Sequence, residues 1–175
     1  FAVTDLAALA RVVFEDIRAF SRDGAGVSRP AYSEIETRTL DYLSDLARSH
    51  GLAVEQDAAG NRVFSLPGDC GTLSAILIGS HVDTVPEGGN YDGLAGVVAG
   101  LLVLIEARQS GRIFRAPVRC IAMRAEESAW FGACYIASRA LTGQLGTAEL
   151  EAPHRGDGQP LRAHMRAIGI NTGPI

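Results

Sequence analysis

The sequence predicts an α/β layered fold, and three observations predict it. Apolar, strand-like runs alternate along the chain with stretches of helical periodicity. Two of those runs, Ala75 to Gly79 and Val118 to Met123, are apolar enough to read as buried strands, and a long helical segment separates them. Each run is followed at once by metal-ligand chemistry: His81, Asp83 and Asp92 after the first, Glu126 and Glu127 after the second. In an open α/β sheet, ligands bind just beyond the carboxyl ends of the strands. Two such strands would therefore deliver one imidazole and several carboxylates to the same edge.

The remaining elements follow in order. Thr4 or Asp5 caps a first helix running to about Phe20, with Leu6, Leu9, Val13 and Ile17 at helical spacing. Ser21 to Pro30 is a Gly- and Ser-containing loop. Ser33, three residues before Glu36, predicts a capping box for a helix to about His50, with Leu40, Leu43, Leu46 and Ala47 on one face. Gly51 suits its C-terminus. Leu52 to Gln56 and Arg62 to Leu66 read as paired strands around Ala59-Gly60-Asn61. Leu73 to Ser80 is expected as a central strand. A helix from Asp92 to about Arg108 presents Val97, Leu101, Leu104 and Ile105, and its Gly93, Gly96 and Gly100 suit close packing on a sheet. Pro117 to Met123 is the next strand and Phe131 to about Leu141 the next helix. A turn-rich tail from Gly143 holds a short helix over Leu161 to Ile168.

Length and charge narrow the function classes. The 175 residues suffice for one domain with its own core. A net charge of -4 gives no basic footprint for nucleic acid. All 16 basic residues are arginine, which excludes a lysine Schiff base or a P-loop lysine within this sequence. Cys70, Cys120 and Cys134 lack Cys-x-x-Cys spacing and read as reduced thiols of a cytoplasmic protein. No segment reads as a signal peptide or a membrane span, because the first helix carries Arg11, Glu15, Asp16 and Arg18.

His81 can bind a metal through one ring nitrogen while Asp83, on the same side of an extended chain, accepts the other ring N–H and fixes the tautomer. Asp92 precedes a helix, where a carboxylate is electrostatically favoured. Glu126 and Glu127 are neighbours and point in opposite directions in an extended segment, which suits two different jobs. Each has a plainer reading alone: a histidine at a strand end, an ordinary N-cap, a solvated acidic pair. Together, imidazole and several carboxylates suit Zn, Mn or Co, and point to two ions rather than one. His154 and His164, in the polar tail, read as surface residues, and His50 as a partner of a helix C-terminus.

These segments resemble the metal-dependent aminoacylase/carboxypeptidase-like hydrolases, in particular the branch of N-carbamoyl-L-amino acid amidohydrolases, allantoate amidohydrolases and β-ureidopropionases. The resemblance runs through Gly26 to Ser33, Asp57 to Arg62, His81-Val82-Asp83, Gly88-Gly89-Asn90-Tyr91-Asp92-Gly93 and Glu126-Glu127. It implies a three-layer α/β/α, zinc-exopeptidase-like catalytic domain, of which residues 1–175 form an N-terminal part. The lid domain and two further histidine ligands are expected beyond Ile175. It implies two divalent metal ions held by His81, Asp92 and Glu127, with Asp92 bridging and Asp83 supporting catalysis. Glu126 is the implied general base, taking a proton from water and passing it to the leaving nitrogen. The implied partner is a small-molecule substrate, an N-carbamoyl or ureido acid, with no nucleic acid and no membrane, and the full-length protein is compatible with a homodimer. The chain departs from the branch where Ser-Arg-Phe usually follows the glutamates; here Ser128-Ala129-Trp130-Phe131 stands instead. A peptidase or aminoacylase of the wider family, and a non-catalytic unit keeping half a metal site, stay open as alternatives.

Overall fold

The computed structural model describes residues 5–69 and 74–173. Helix α1 (Leu6–Ser21) is capped by Asp5, whose carboxylate accepts the N–H groups of Ala7 and Ala8, each at 3.0 Å. The alternative cap, Thr4, and Cys70 lie outside the described residues. A two-residue hairpin, β1 (Arg22–Asp23) and β2 (Gly26–Val27), occupies the segment expected as a plain loop. Helix α2 (Glu34–Ser49) ends at His50, with Gly51 beyond it at φ +73°.

Four strands form one sheet in the order β3-β4-β6-β5: β3 (Ala53–Gln56), β4 (Arg62–Ser65), β6 (Val118–Met123) and β5 (Ile76–His81). β3, β4 and β6 pair antiparallel. β5 and β6 pair in parallel, from Ile76 opposite Val118 to His81 opposite Met123. The parallel pair needs a crossover, which helix α3 (Leu94–Ser110) provides. The chain is therefore a mixed α/β structure with a helix-flanked sheet, as expected. β5 differs from its expected central place, lying at the edge of the sheet among the described residues. With β6 on one side only, its Ile76 and Leu77 are 56% and 46% exposed.

The main core joins Val13 and Ile17 of α1, Leu40, Leu43 and Ala47 of α2, and Val97, Leu101, Leu104 and Ile105 of α3. These pack over Phe64, Cys120 and Ala122 of the sheet. A Cβ at Gly96 would lie 2.7 Å from the Ser80 Cβ and one at Gly100 2.7 Å from the Cys120 sulfur, so α3 sits on the sheet at a distance that only glycine permits. Cys120 is a free, buried thiol whose pKa burial pushes up to about 12; Cys134 is free and half-buried. No helix among the described residues is long and apolar enough to cross a membrane.

The described residues beyond β6 form a smaller cluster beside the sheet. It contains α4 (Ile136–Leu141), α5 (Thr147–Leu150) and α6 (Leu161–Ala167), packed on Tyr32, Ala125, Phe131 and Ile170. α4 begins five residues later than the expected Phe131 start, because 128–131 form a turn that buries Phe131.

Candidate metal centre

β5 and β6 run in parallel and in register, so both end on the same edge, and α3 starts there. The imidazole of His81 (β5), the carboxylate of Asp92 (before α3) and that of Glu127 (after β6) each place a ligand atom within 4.8 Å of the other two. His81 Nδ1 faces two acceptors, the Asp83 carbonyl at 3.0 Å and the Asp83 carboxylate at 3.2 Å. Nδ1 therefore carries the proton, and Nε2 is left bare as the nitrogen a metal takes. Gly93, at φ +64°, is required by this ring: a Cβ there would lie 2.5 Å from His81 Cε1. α3 is capped by Gly93 without a side-chain hydrogen bond, so Asp92 is not spent as an N-cap. Neither Asp92 nor Glu127 forms a salt bridge among the described residues.

Two buried carboxylates hold the β6 exit in shape. Asp83, fully buried, accepts the backbone N–H of Glu126 on one oxygen (3.0 Å) and that of Glu127 on the other (2.9 Å). Glu36, also fully buried, accepts the N–H of Ala125 (3.0 Å), the N–H of Tyr32 (2.8 Å) and the Arg124 guanidinium. Ala125 adopts φ +48°, a strained left-handed conformation for alanine, and these bonds hold it there. The expected capping box is thus only half formed. Ser33 Oγ caps Glu36 N at 3.1 Å, but the Glu36 carboxylate turns into the core towards Arg124 instead of returning to Ser33.

The electrostatics suit a cation. Burial, then Asp92, raises the Glu127 pKa. Burial lowers that of His81, but the hydrogen bond and charge of Asp83, with Asp92, outweigh it and leave the His81 pKa raised. Arg29, fully buried, supplies positive charge behind the site, donating to the carbonyls of Val82 and Asp92 (3.3 Å to the latter). Burial lowers its pKa to about 10. A bare imidazole nitrogen with two carboxylates that lack a salt bridge is a donor set that fits Zn, Mn or Co.

Known amidohydrolases resemble the chain over most of its length. No family model matches the chain. An N-carbamoyl-L-amino-acid amidohydrolase of Paenarthrobacter aurescens is 32% identical over 160 residues, covering 91% of this chain and 39% of that protein. An allantoate amidohydrolase of Bacillus subtilis is 29% identical over 153 residues, covering 87% of this chain and 37% of that protein. A hydantoinase/carbamoylase family amidase from Burkholderia ambifaria superposes with a TM-score of 0.78 at 31% identity, over 92% of this chain and 41% of its own. The chain belongs to this amidohydrolase family. It spans about two fifths of the length of the relatives it matches.

Within that amidohydrolase frame, the structure brings His81, Asp92 and Glu127 together and places Asp83 directly behind them. Glu126 points elsewhere: its carboxylate accepts the N–H (2.8 Å) and the hydroxyl (3.0 Å) of Ser138, at the start of α4. The neighbouring glutamates thus diverge, as their adjacency predicts. His154 and His164 are not the plain surface residues expected. Their side chains are 16% and 22% exposed, braced against Trp130 and Phe131 and gathered around Asp157. Sequence reasoning missed Glu36, Arg29 and Ser138. Arg29 sits inside Gly26 to Ser33, one of the segments that carry the resemblance, which was the available signal; nothing local marks the other two as neighbours of the site.

Proposed function

We infer that His81, Asp92 and Glu127 would hold divalent metal, and that the longer protein hydrolyses a linear C–N bond of an N-carbamoyl amino acid or ureido acid. The observation that carries this reading is the convergence of a tautomer-fixed imidazole and two carboxylates that lack salt bridges at the common end of β5 and β6. The P. aurescens and B. subtilis relatives support the substrate class by their names. Residues 1–175 are read as the N-terminal part of the catalytic domain, and the activity as that of the longer protein.

Divalent ions held there supply Lewis acidity and a water of lowered pKa. The protein groups do the rest. Asp83 orients the His81 ring and fixes the backbone of both glutamates. Glu126 takes the proton of the attacking water and delivers it to the departing nitrogen, a role that suits a carboxylate next to the ligand set but outside it. Ser138 fixes where that carboxylate waits.

The test is hydrolysis by the metal-supplemented protein before and after chelation, read as ammonia release from N-carbamoyl-L-amino acids and allantoate and as free amino acid release from N-acyl amino acids. Chelator-sensitive hydrolysis of the carbamoyl or ureido substrates is expected. Turnover indifferent to chelation would refute the metal role, and cleavage of the acyl amino acids alone would favour the aminoacylase reading.

A further inference from the structure

We propose that His154, Asp157 and His164 form a second binding site, for a single divalent transition-metal ion of the zinc type, separate from the His81, Asp92 and Glu127 group. One ligand atom from each residue lies within 4.8 Å of the other two. The spacing is finer than that figure requires. Asp157 Oδ1 is 3.2 Å from His154 Nδ1 and 3.3 Å from His164 Nε2. Donors about 2.0–2.1 Å from a tetrahedral zinc stand roughly 3.3 Å apart, so the spacing of Asp157 to each imidazole matches that of a coordinated ion. Two imidazoles and a carboxylate, with a fourth position open to water, form a zinc ligand set. The carboxylate is 52% exposed, which gives an ion a way in.

The ligands sit on a prepared frame. Pro153 and Pro160 form a β-bridge, and within it His154 N donates to the Gln159 carbonyl (2.8 Å) while Gly158 N donates to the His154 carbonyl (2.9 Å). Asp157 stands at the tip of this hairpin between Gly156 and Gly158, and His164 projects from α6, which the hairpin leads into. The rings are held from behind. His154 lies parallel to Trp130 at 6.1 Å, and Phe131 packs against His154 at 5.1 Å and His164 at 5.2 Å. Ligand rotamers locked by packing are what a metal site requires.

His154 Nδ1 receives the N–H groups of Gly156 (3.2 Å) and Asp157 (3.4 Å), which marks it as an acceptor. It nevertheless faces the Asp157 carboxylate, a second acceptor, at 3.2 Å. A cation between them satisfies both, replacing two long N–H contacts. The ion would tie the hairpin to α6 and so brace the smaller cluster.

The experiment uses Zn2+ as the probe on chelator-stripped protein, titrated calorimetrically. The wild type is compared with H164Q and D157N, which alter this group, and with H81A, which alters the other. Ni2+ quenching of Trp130, the sole tryptophan, gives a local second readout. A Zn2+ event that survives in H81A and weakens at least tenfold in both H164Q and D157N, with quenching lost in parallel and far-UV circular dichroism unchanged, is expected. The exposed D157N keeps the test valid if H164Q misfolds. Wild-type binding and quenching in D157N, or loss of all binding in H81A, would overturn the second site. Loss confined to H164Q and D157N would support this site while removing the metal role proposed for His81, so the two readings fail separately.

Discussion

Replacing Asp83 with asparagine isolates the contribution of one buried carboxylate. In the folded chain its two oxygens accept the N–H groups of Glu126 and Glu127, and one of them also faces His81 Nδ1. Asparagine keeps the shape but has a single acceptor oxygen, so its NH2 must point at one of those donors. A buried donor left unsatisfied costs roughly 1–3 kcal/mol, and bonds to a charged acceptor lie at the upper end of the range. Removing a negative charge beside Asp92 and Glu127 offsets part of this. A net loss of about 2 kcal/mol corresponds to a melting-point drop of roughly 4–8 °C for a chain of this size. Metal affinity should fall about 10–100-fold, the usual effect of removing a carboxylate that orients a metal-binding histidine. Thermal melts and Zn2+ titrations of Asp83→Asn against wild type check both. A variant that melts within about 1 °C of wild type and binds Zn2+ equally would refute the claim that Asp83 holds the site together.

Three further predictions concern the same site. Gly93→Ala places a methyl group against the His81 ring at a positive φ, costing about 1–2 kcal/mol and displacing the imidazole, read as lost stability together with weakened metal binding. The raised His81 pKa sets a pH dependence. Metal affinity falls as pH drops through that value, because the imidazole must be neutral to bind, and Asp83→Asn moves the midpoint to lower pH. In the metal-free protein the sign reverses: stability from protonated His81 is full below about 6.5 and is lost as pH rises through the raised value, which pH-dependent melts detect. Glu126→Gln should abolish turnover with metal content near normal, whereas Glu127→Gln should lose metal; equal metal loss by mass spectrometry would contradict the division.

Strand ends, helix faces and the ligand types were legible because they follow local rules. Period-3.6 apolar spacing placed α1 to α3, and buried-strand runs placed β5 and β6 so that His81 and Glu127 had to share an edge. The position of β5 in the sheet was not legible. An apolar run reports that a strand can be buried, not which neighbours it has. The late start of α4 escaped because Phe131 has helical spacing but is consumed by a turn. His154 and His164 looked like tail residues because sequence shows their polar surroundings and not Trp130 and Phe131 folding back over them.

Glu36 shows why the rest was hidden. Its local signal, three residues after Ser33, names a cap partner. Its actual bonds reach Arg124 and Ala125, nearly ninety positions away. A buried glutamate beside a buried arginine is weak evidence for stability, since desolvation consumes most of the Coulombic gain; burial is also what pushes the Glu36 pKa up, to about 7, against the pull of Arg124. The better account is geometric. Ala125 in a left-handed conformation turns the chain so that Glu126 leaves towards Ser138 and Glu127 towards His81 and Asp92. Glu36 fixes the residue before the divergence and Asp83 the two residues after it. The Glu127 carboxylate is therefore aimed by two others, Glu36 and Asp83, which act on the backbone that carries it.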